Sequence, residues 1–283
     1  VSILFNFEDY NADVIFLQEC EESFFRNELS NVFPAHTAKF CSKLNSGQGE
    51  ATLFRSDRWR FVASHDIVLN QLLQNDPLYS SLWKLIETNH SLCKVIKKKS
   101  TILQLTQVEC IGRPKNHVLL ANTHLYYHPT GDFIRLLQLI VCLKHIESTR
   151  AYLLKDPAIQ HVSILFGGDF NSSTDSPALS YLRSKRIPYS MLTRQDSTVL
   201  SKFGQLFAHQ IELDTKVADQ VTHCIREFEG TIDYIFYDRH SFKLKQMIEM
   251  PTIEKIKENV AMPSQYFPSD HLPIVYEYTY CPQ

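Results

Sequence analysis

The chain has 283 residues, of which 44% are hydrophobic and 21% are charged, and this composition excludes a disordered or low-complexity protein. Its formal net charge is −2, so a nucleic-acid partner would have to be held locally, by a cleft or a bound cation, and not by the field of the whole protein. With only eight glycines and neither a GxxxxGKS/T nor a GxGxxG motif, the sequence argues against a glycine-rich phosphate loop.

The seven cysteines are scattered along the chain, none of them forms a CxxC pair, and their odd number argues against a disulfide framework. They therefore predict mostly buried free thiols in a reducing compartment. No apolar run reaches the roughly 18 residues that a membrane helix needs, so we expect no membrane partner.

Short runs of β-branched and aromatic residues predict strands at 12–17, 51–54, 102–108, 117–125, 161–166, 230–237 and 272–280. Most of these runs are nearly continuously apolar, which is typical of strands that are covered on both faces. Helical patterns lie at 70–98 and at 132–154, the second with Asp132 as a candidate N-cap. The mixed order of strands and helices predicts one domain with a layered α/β fold.

Five of the predicted strands end or begin in a tight cluster of polar residues. The clusters are Gln18-Glu19, Asn122-Thr123-His124, Asp169-Phe170-Asn171, Asp233 and Asp270-His271. Polar groups beside buried strands are costly unless they face a cleft or bind something, and ligand clefts lie at strand ends in α/β sheets. Residues two apart in an extended segment point to the same side, which pairs Asp169 with Asn171 and Asn122 with His124.

Together these groups suit metal-assisted phosphodiester hydrolysis. Carboxylate oxygens without paired thiols favour Mg²⁺, with Mn²⁺ as an alternative. Imidazoles and amides can donate to phosphate oxygens, and a free carboxylate can activate water. Each cluster alone is more often a turn or a solvated strand end, so the functional interpretation depends on all five occurring together.

Two other interpretations are weaker. A zinc site built from His124, His128 and a cysteine lacks a cysteine pair, and Pro129 prevents a regular helix there. A Ser-His-Asp hydrolase lacks a GxSxG motif, and its candidate residues, 269–271, are consecutive and cannot form a relay with one another.

The ordered motifs resemble the endonuclease/exonuclease/phosphatase superfamily over nearly the whole chain. The motifs that carry the resemblance are Leu17-Gln18-Glu19, Asn122-Thr123-His124-Leu125, Gly168-Asp169-Phe170-Asn171, Ile232-Asp233-Tyr234 and Ser269-Asp270-His271. The resemblance implies a deoxyribonuclease-I-like fold: a four-layered α/β sandwich of two packed mixed β-sheets flanked by helices, formed by residues 1–283. Residues 49–55 and 122–138 look like the deadenylase-type branch, and the segment 126–129 is similar to its mitochondrial 2′,5′-phosphodiesterases.

The resemblance also implies a role for each site residue. The expected roles are those of catalytic residues for Asp169, Asn171, His271, Asp233 and His124, of metal ligands for Glu19 and Asp270, and of substrate-binding residues for Asn122, Pro129 and Phe228. Asp169 would deprotonate the attacking water. Asn171 would hold Asp169 and the scissile phosphate in register. His271, oriented by Asp233, and His124 would donate to the phosphate. Pro129 and Phe228 would sandwich an adenine.

The expected function is that of a Mg²⁺-dependent 3′-to-5′ exoribonuclease or phosphodiesterase that releases AMP from 2′,5′-oligoadenylate or poly(A). Its expected partner is single-stranded RNA or oligoadenylate, and its protein partners stay open. The alternatives are another phosphoesterase of the same fold, such as a phosphoinositide phosphatase, a sphingomyelinase or an abasic-site endonuclease, and an inactive RNA-binding pseudoenzyme. A mitochondrial location is implied by the resemblance alone, with a cytoplasmic one as the alternative.

One departure from the family concerns its first strand, which carries a metal-binding Asn. This chain begins near the helix that follows that strand, around Ile3. We therefore expect the first strand and its Asn to be missing from this sequence.

Overall fold

The structure is a computed structural model that describes residues 10–44, 46–188, 204, 206–216 and 221–282. Its strands are β1 (Val14–Glu21), β2 (His36–Ser42), β3 (Gln48–Arg55), β4 (Trp59–Ser64), β5 (Ile67–Val68), β6 (Ile102–Cys110), β7 (Asn116–His124), β8 (His161–Asp169), β9 (Leu213–Asp214), β10 (His223–Cys224), β11 (Glu229–Gly230), β12 (Asp233–Asp238), β13 (Phe242–Met247) and β14 (Tyr276–Tyr280). Its helices are α1 (Glu22–Asn27), α2 (Leu29–Val32), α3 (Leu69–Asn75), α4 (Ser80–Thr88), α5 (His90–Lys98), α6 (Asp132–Leu153), α7 (Pro177–Ser184) and α8 (Ile253–Ile256), with 3₁₀ turns at Pro77–Tyr79 and Lys257–Asn259.

Two sheets form the centre of the fold. The smaller one has the order β1-β3-β2 and is antiparallel throughout. The larger one has the order β4-β6-β7-β8-β12-β9, with β5 paired to β6. In this sheet β7 and β8 are parallel, whereas β8 and β12 are antiparallel, so the sheet is mixed as the resemblance implied.

The apolar strands are buried on both faces because each face packs against a different layer. In β7, Leu119 and Ala121 pack with the helices that cover the outer face of the large sheet. The alternate residues, Val118 and Leu120, pack with Phe54 of the small sheet. Since successive side chains of a strand point to opposite faces, one continuous apolar run serves both layers.

The outer face of the small sheet is covered in turn by Leu29 of α2 and by Phe33, which follows it. The order of layers is therefore helix, sheet, sheet, helix. The predicted four-layered α/β sandwich is confirmed.

Each predicted strand run overlaps an observed strand, but β2, β4 and β13 were not predicted, and the last strand begins only at Tyr276. The helical region at 70–98 is divided into shorter helices. Asp76 accepts a hydrogen bond from the backbone of Leu78 at 2.8 Å and starts the 3₁₀ turn, and Asn89 accepts one from Leu92 at 3.0 Å and starts α5. The expectation that Asp132 caps α6 is wrong: Gly131 occupies the N-cap, and the carboxylate of Asp132 pairs with Arg135.

Four of the seven cysteines are buried and none forms a disulfide, as the sequence predicts. None of the helices in the described part of the chain is long and apolar enough to cross a membrane. The helix expected around Ile3 lies outside the described residues.

Candidate active site

Three neighbouring strands of the large sheet bring polar residues together at one edge. The parallel register of β7 and β8 places His124 beside Asp169, and the antiparallel register of β8 and β12 places Asp233 beside the same Asp169. Asp169 is only 5% exposed, and its Oδ2 lies 3.3 Å from Nε2 of His124. Asp169 is thus the centre of the candidate site.

Gly168 allows this close approach of β7 and β8. Its φ is +151°, and an added Cβ would lie 2.0 Å from the carbonyl oxygen of Thr123. Any side chain here would push the strands apart, so glycine at this position keeps His124 within reach of Asp169.

Asn171 holds the carboxylate of Asp169 at both oxygens. The backbone N–H of Asn171 donates to Oδ1 at 2.7 Å, and its Nδ2 donates to Oδ2 at 3.2 Å and to the carbonyl of Leu125 at 3.0 Å. Burial raises the pKa of Asp169, the charges of Asp233 and Glu19 raise it further, and His271 with the Asn171 N–H opposes them. Asp169 is therefore a rigidly held carboxyl whose affinity for a proton is unusually high.

His271 also lies close to Asp169. Its Nε2 lies 3.8 Å from Oδ2 of Asp169, and its Nδ1 donates to Oδ2 of Asp233 at 2.9 Å. Burial alone would lower the pKa of His271, but the hydrogen bond to Asp233 and the nearby carboxylates outweigh it and raise the pKa to about 9. His271 is therefore an imidazolium at neutral pH, and its Nε2–H is a charged donor.

His124 has the opposite electrostatic setting. Burial, then Lys43 and His271, lower its pKa to about 3, so this imidazole is neutral. The ammonium of Lys43 lies 3.5 Å from Nδ1 of His124. Because an ammonium can only donate, Nδ1 must accept, and the ring proton lies on Nε2, which faces Asp169.

Lys43 is in turn anchored by Glu50, and the sequence interpretation missed both residues. Nζ of Lys43 lies 3.1 Å from Oε1 of Glu50, whose side chain is fully buried in β3. Burial raises the pKa of Glu50 to about 7, although Lys43 opposes the shift. The one signal in the sequence was a charged residue within the apolar run 49–54, which buried strands seldom tolerate without a partner.

The two predicted metal ligands lie on either side of this centre. Glu19 has a φ of +54° and sits where the register of β1 and β3 shifts between Leu17 and Cys20, and its Oε1 lies 3.8 Å from Nδ1 of His124. Asp270 approaches His223, with 3.4 Å between Oδ2 and Nε2. A strand irregularity of this kind re-aims a side chain toward a site.

Among the residues that the structure describes, two groups of carboxylate and imidazole side chains could hold a cation: Asp169, Asp233 and His271, and His223, Asp270 and His271. Glu19 belongs to neither group. Glu19 and Asp270 are 64% and 49% exposed, and in the described part of the chain neither pairs with a lysine or an arginine. Exposed carboxylate oxygens are the ligands that hard cations prefer.

The structure gives Asn122 a different surrounding from the one expected of a substrate-binding residue. It is fully buried, its Nδ2 donates to the carbonyls of Leu17 and Ala51, both at 3.1 Å, and its Oδ1 accepts from Gln18 at 2.7 Å. All of its hydrogen-bonding groups are used to tie the two sheets together. Contact with substrate stays a prediction for this residue, without support from its geometry.

The two residues expected to sandwich an adenine are exposed. Phe228 is 45% exposed, and its ring lies 5.6 Å from that of His223. Pro129 lies in a loop that Arg135 holds by donating to the carbonyls of Tyr126, His128 and Pro129. The sandwich stays a prediction.

The fold and the site together resemble one class of protein. Carboxylates, two histidines and an asparagine at the strand ends of a four-layered α/β sandwich are similar to the arrangement that the resemblance to the endonuclease/exonuclease/phosphatase superfamily implies. The solved structure of ANGEL2, a 2′,3′-cyclic phosphatase, superposes with a TM-score of 0.76 and 20% identity and covers 98% of this chain and 84% of that chain. The human Nocturnin catalytic domain superposes with a TM-score of 0.64 and 18% identity over 99% and 84% of the two chains.

The sequence is also similar to two curated relatives. The 2′,5′-phosphodiesterase 12 of Homo sapiens is 28% identical over 267 residues, which is 94% of this chain and 43% of the relative. Carbon catabolite repressor protein 4 homolog 1 of Arabidopsis thaliana is 26% identical over 315 residues, which is 97% of this chain and 51% of the relative. The chain thus spans about half the length of the curated relatives it matches. No family model matches. The predicted resemblance to the deadenylase-type branch is confirmed.

Proposed function

We propose that this protein is a metal-dependent phosphodiesterase, a 3′-to-5′ exoribonuclease that releases AMP from 2′,5′-oligoadenylate, from poly(A) or from both. The observation that carries the proposal is the position of Asp169 close to one charged and one neutral histidine. Asp169 lies where the ends of three adjacent strands meet. The names of the relatives, a 2′,5′-phosphodiesterase and Ccr4-type 3′-5′-exoribonuclease subunits, support the substrate class.

Asp169 acts as the general base in this proposal. Its two hydrogen bonds from Asn171 fix the carboxylate, so that a water molecule beside it would lose a proton to Asp169 as it attacks phosphorus. General-base help of this kind contributes about 10²–10⁴-fold to a rate.

The two histidines stabilise the phosphate from opposite sides. His271 donates its charged Nε2–H to a phosphate oxygen while Asp233 holds the ring through Nδ1. His124 donates a neutral Nε2–H, since Lys43 occupies its Nδ1. Fixed donors aimed at charge that develops in the transition state are worth a few kcal/mol each.

Glu19 and Asp270 would hold Mg²⁺, with Mn²⁺ as the alternative, because they are exposed carboxylates that pair with no lysine or arginine in the described part of the chain. When bound, the ion would supply positive charge to the scissile phosphate. A cation beside Asp169 would also lower the proton affinity that burial and neighbouring acids raise.

Phe228 and Pro129 form the proposed adenine platform, since both are exposed and the ring of Phe228 lies near that of His223. Stacking on such a surface is worth ~1–3 kcal/mol per base. We further propose that the chain as a whole forms the catalytic domain and that the protein acts in mitochondria, with the cytoplasm as the alternative; both follow the resemblance to the mitochondrial branch.

The decisive experiment offers the purified protein 2′,5′-linked triadenylate, 3′,5′-linked oligoadenylate and an inositol phosphate, in Mg²⁺ and in Mn²⁺. We expect AMP from the adenylates, and a loss of roughly 10²–10⁴-fold in kcat for Asp169→Asn with unchanged circular dichroism. Asp175→Asn, at an exposed carboxylate, is the matched control. Faster hydrolysis of the inositol phosphate, or full activity in Asp169→Asn, would contradict the proposal.

A further inference from the structure

His223 lies beside the candidate active site but has no part in the proposed hydrolysis. It belongs to the two-residue strand β10 and forms an isolated antiparallel bridge with His271. The backbone also joins these segments through Cys224 N–H to the carbonyl of Asp270, at 3.2 Å, and Leu272 N–H to that of Thr222, at 2.7 Å. The backbone therefore holds His223 in a fixed position next to Asp270 and His271.

The side chains of His223, Asp270 and His271 converge. Nε2 of His223 lies 3.4 Å from Oδ2 of Asp270, and the rings of the two histidines lie 4.4 Å apart. One ligand atom from each of the three residues lies within 4.8 Å of the other two.

The distance between His223 and Asp270 fits one edge of a tetrahedral zinc site. Zinc binds imidazole nitrogen and carboxylate oxygen at about 2.0–2.2 Å, so neighbouring ligand atoms in a tetrahedral site lie roughly 3.3–3.5 Å apart. The separation of 3.4 Å between His223 and Asp270 matches that edge. Two imidazoles and one carboxylate are also the ligand set of open zinc sites, whereas Mg²⁺ prefers oxygen ligands.

His271 already has the hydrogen bond that supports a zinc ligand. Its Nδ1 donates to the carboxylate of Asp233 at 2.9 Å, which leaves Nε2 as the atom available to a metal. A carboxylate behind a histidine in this way fixes the ring and raises the basicity of the ligating nitrogen.

From this geometry we infer that His223, Asp270 and His271 form a zinc-type site, and that Zn²⁺ bound there inhibits the enzyme. The bound ion replaces the proton on Nε2 of His271 and occupies Asp270, so that one phosphate donor and one Mg²⁺ ligand are withdrawn together. The inhibition rests on the proposed function, but the binding does not.

Zinc binding is measured first, without substrate, by titrating the purified protein with Zn²⁺ in competition with a chromophoric zinc chelator. We expect one Zn²⁺ per chain, and binding at least about tenfold weaker in His223→Asn, since even loss of a supporting hydrogen bond costs 10–100-fold. His240→Asn, at an exposed histidine that pairs with Glu212, is the control and should bind like the wild type. Equal affinity of His223→Asn and the wild type would overturn the inference.

Inhibition is measured second, as the ratio of AMP release in Mg²⁺ with and without added Zn²⁺ for each protein. The ratio should fall in the wild type and in His240→Asn and change little in His223→Asn. If zinc binds through His223 but the wild-type ratio stays at one, the inhibitory role is wrong. If no protein releases AMP in Mg²⁺, the proposed function fails, and the chelator titration still decides whether the zinc site exists.

Discussion

The two histidines of the candidate site both lie close to Oδ2 of Asp169 but have opposite electrostatic surroundings. Nδ1 of His271 donates to a carboxylate, Asp233, and its pKa is raised to about 9. Nδ1 of His124 faces an ammonium, Lys43, and its pKa is lowered to about 3. The same side chain is thus a charged donor in one position, where the nearby carboxylates outweigh burial, and a neutral donor in the other, where burial and then Lys43 and His271 lower the pKa.

This difference separates two tasks that a phosphodiesterase site must perform. A charged donor stabilises negative charge on phosphate most strongly, but two imidazoliums around one buried carboxylate would suppress its basicity. A single imidazolium with one neutral imidazole leaves Asp169 the higher proton affinity that a general base needs. The asymmetry therefore favours a base and a charged donor acting within a few ångströms of each other.

Removing the carboxylate behind His271 should have the largest effect. In Asp233→Asn the ring keeps a hydrogen-bond acceptor but loses the negative charge that favours its imidazolium, so we expect kcat to fall roughly 10²–10⁴-fold with little change in KM. Steady-state kinetics on oligoadenylate check this, with Asp214→Asn at an exposed carboxylate as the control. A wild-type kcat in Asp233→Asn would mean that the charge on His271 has no role.

Glu50, the buried carboxyl on the His124 side of the site, should change how the stability of the protein depends on pH. The pKa of Glu50 is about 7 in the folded protein against an ordinary 4.5, so the folded state binds this proton more tightly than the unfolded chain. The free energy of unfolding therefore falls by up to about 3 kcal/mol as the pH rises from about 4.5 to about 7. Above pH 7 this contribution no longer changes. Glu50→Gln should lack this loss.

Urea unfolding of wild type and Glu50→Gln at pH 5 and pH 8 measures the difference directly. We expect the variant to gain stability relative to the wild type at pH 8 but little at pH 5. Glu277→Gln, at an exposed glutamate that pairs with Lys245, controls for the loss of any carboxylate. Parallel stability profiles for wild type and Glu50→Gln would show that Lys43 keeps Glu50 ionised throughout.

The half of the site around His271 and Asp169 was predictable, and the half around Lys43 was not. Asp169, Asp233 and His271 each adjoin a long apolar strand run or its immediate flank, and such runs are a local signal in the sequence. Lys43 follows β2, whose seven residues are mostly half-buried and show no clear alternation. Its contact with His124 joins positions 81 residues apart, and that pairing depends on the packing of the two sheets.

The fold shows the same limit. Continuous burial on both faces predicted the central strands, because it follows from side-chain composition alone. The role of Asn122 did not follow from composition: the sequence places it two residues before His124 and so on the same face, but packing of the small sheet closes over it and uses its amide between Gln18 and two carbonyls. Likewise His223 lies in a two-residue strand, which is too short for any periodicity to show.

The smallest expected effect, and the sharpest test of the asymmetry, concerns Lys43. In Lys43→Met, Nδ1 of His124 loses its donor, and the carboxylate of Glu19 at 3.8 Å would then favour a proton on Nδ1 instead of Nε2. A hydrogen bond as long as 3.5 Å is worth about 1–1.5 kcal/mol, so kcat should fall roughly tenfold, and Lys43→Arg, which also only donates, should restore part of it.

Nitrogen-15 spectra of the imidazoles, with His124→Gln to assign the signal, distinguish a change of tautomer from a general loss of structure. The wild type should show protonated Nε2 and unprotonated Nδ1 in His124, and Lys43→Met should show the reverse, while the signals of His271 stay unchanged. If the tautomer is the same in both proteins, Lys43 does not set it, and its influence on His124 is limited to the lowering of the pKa that it shares with burial and His271.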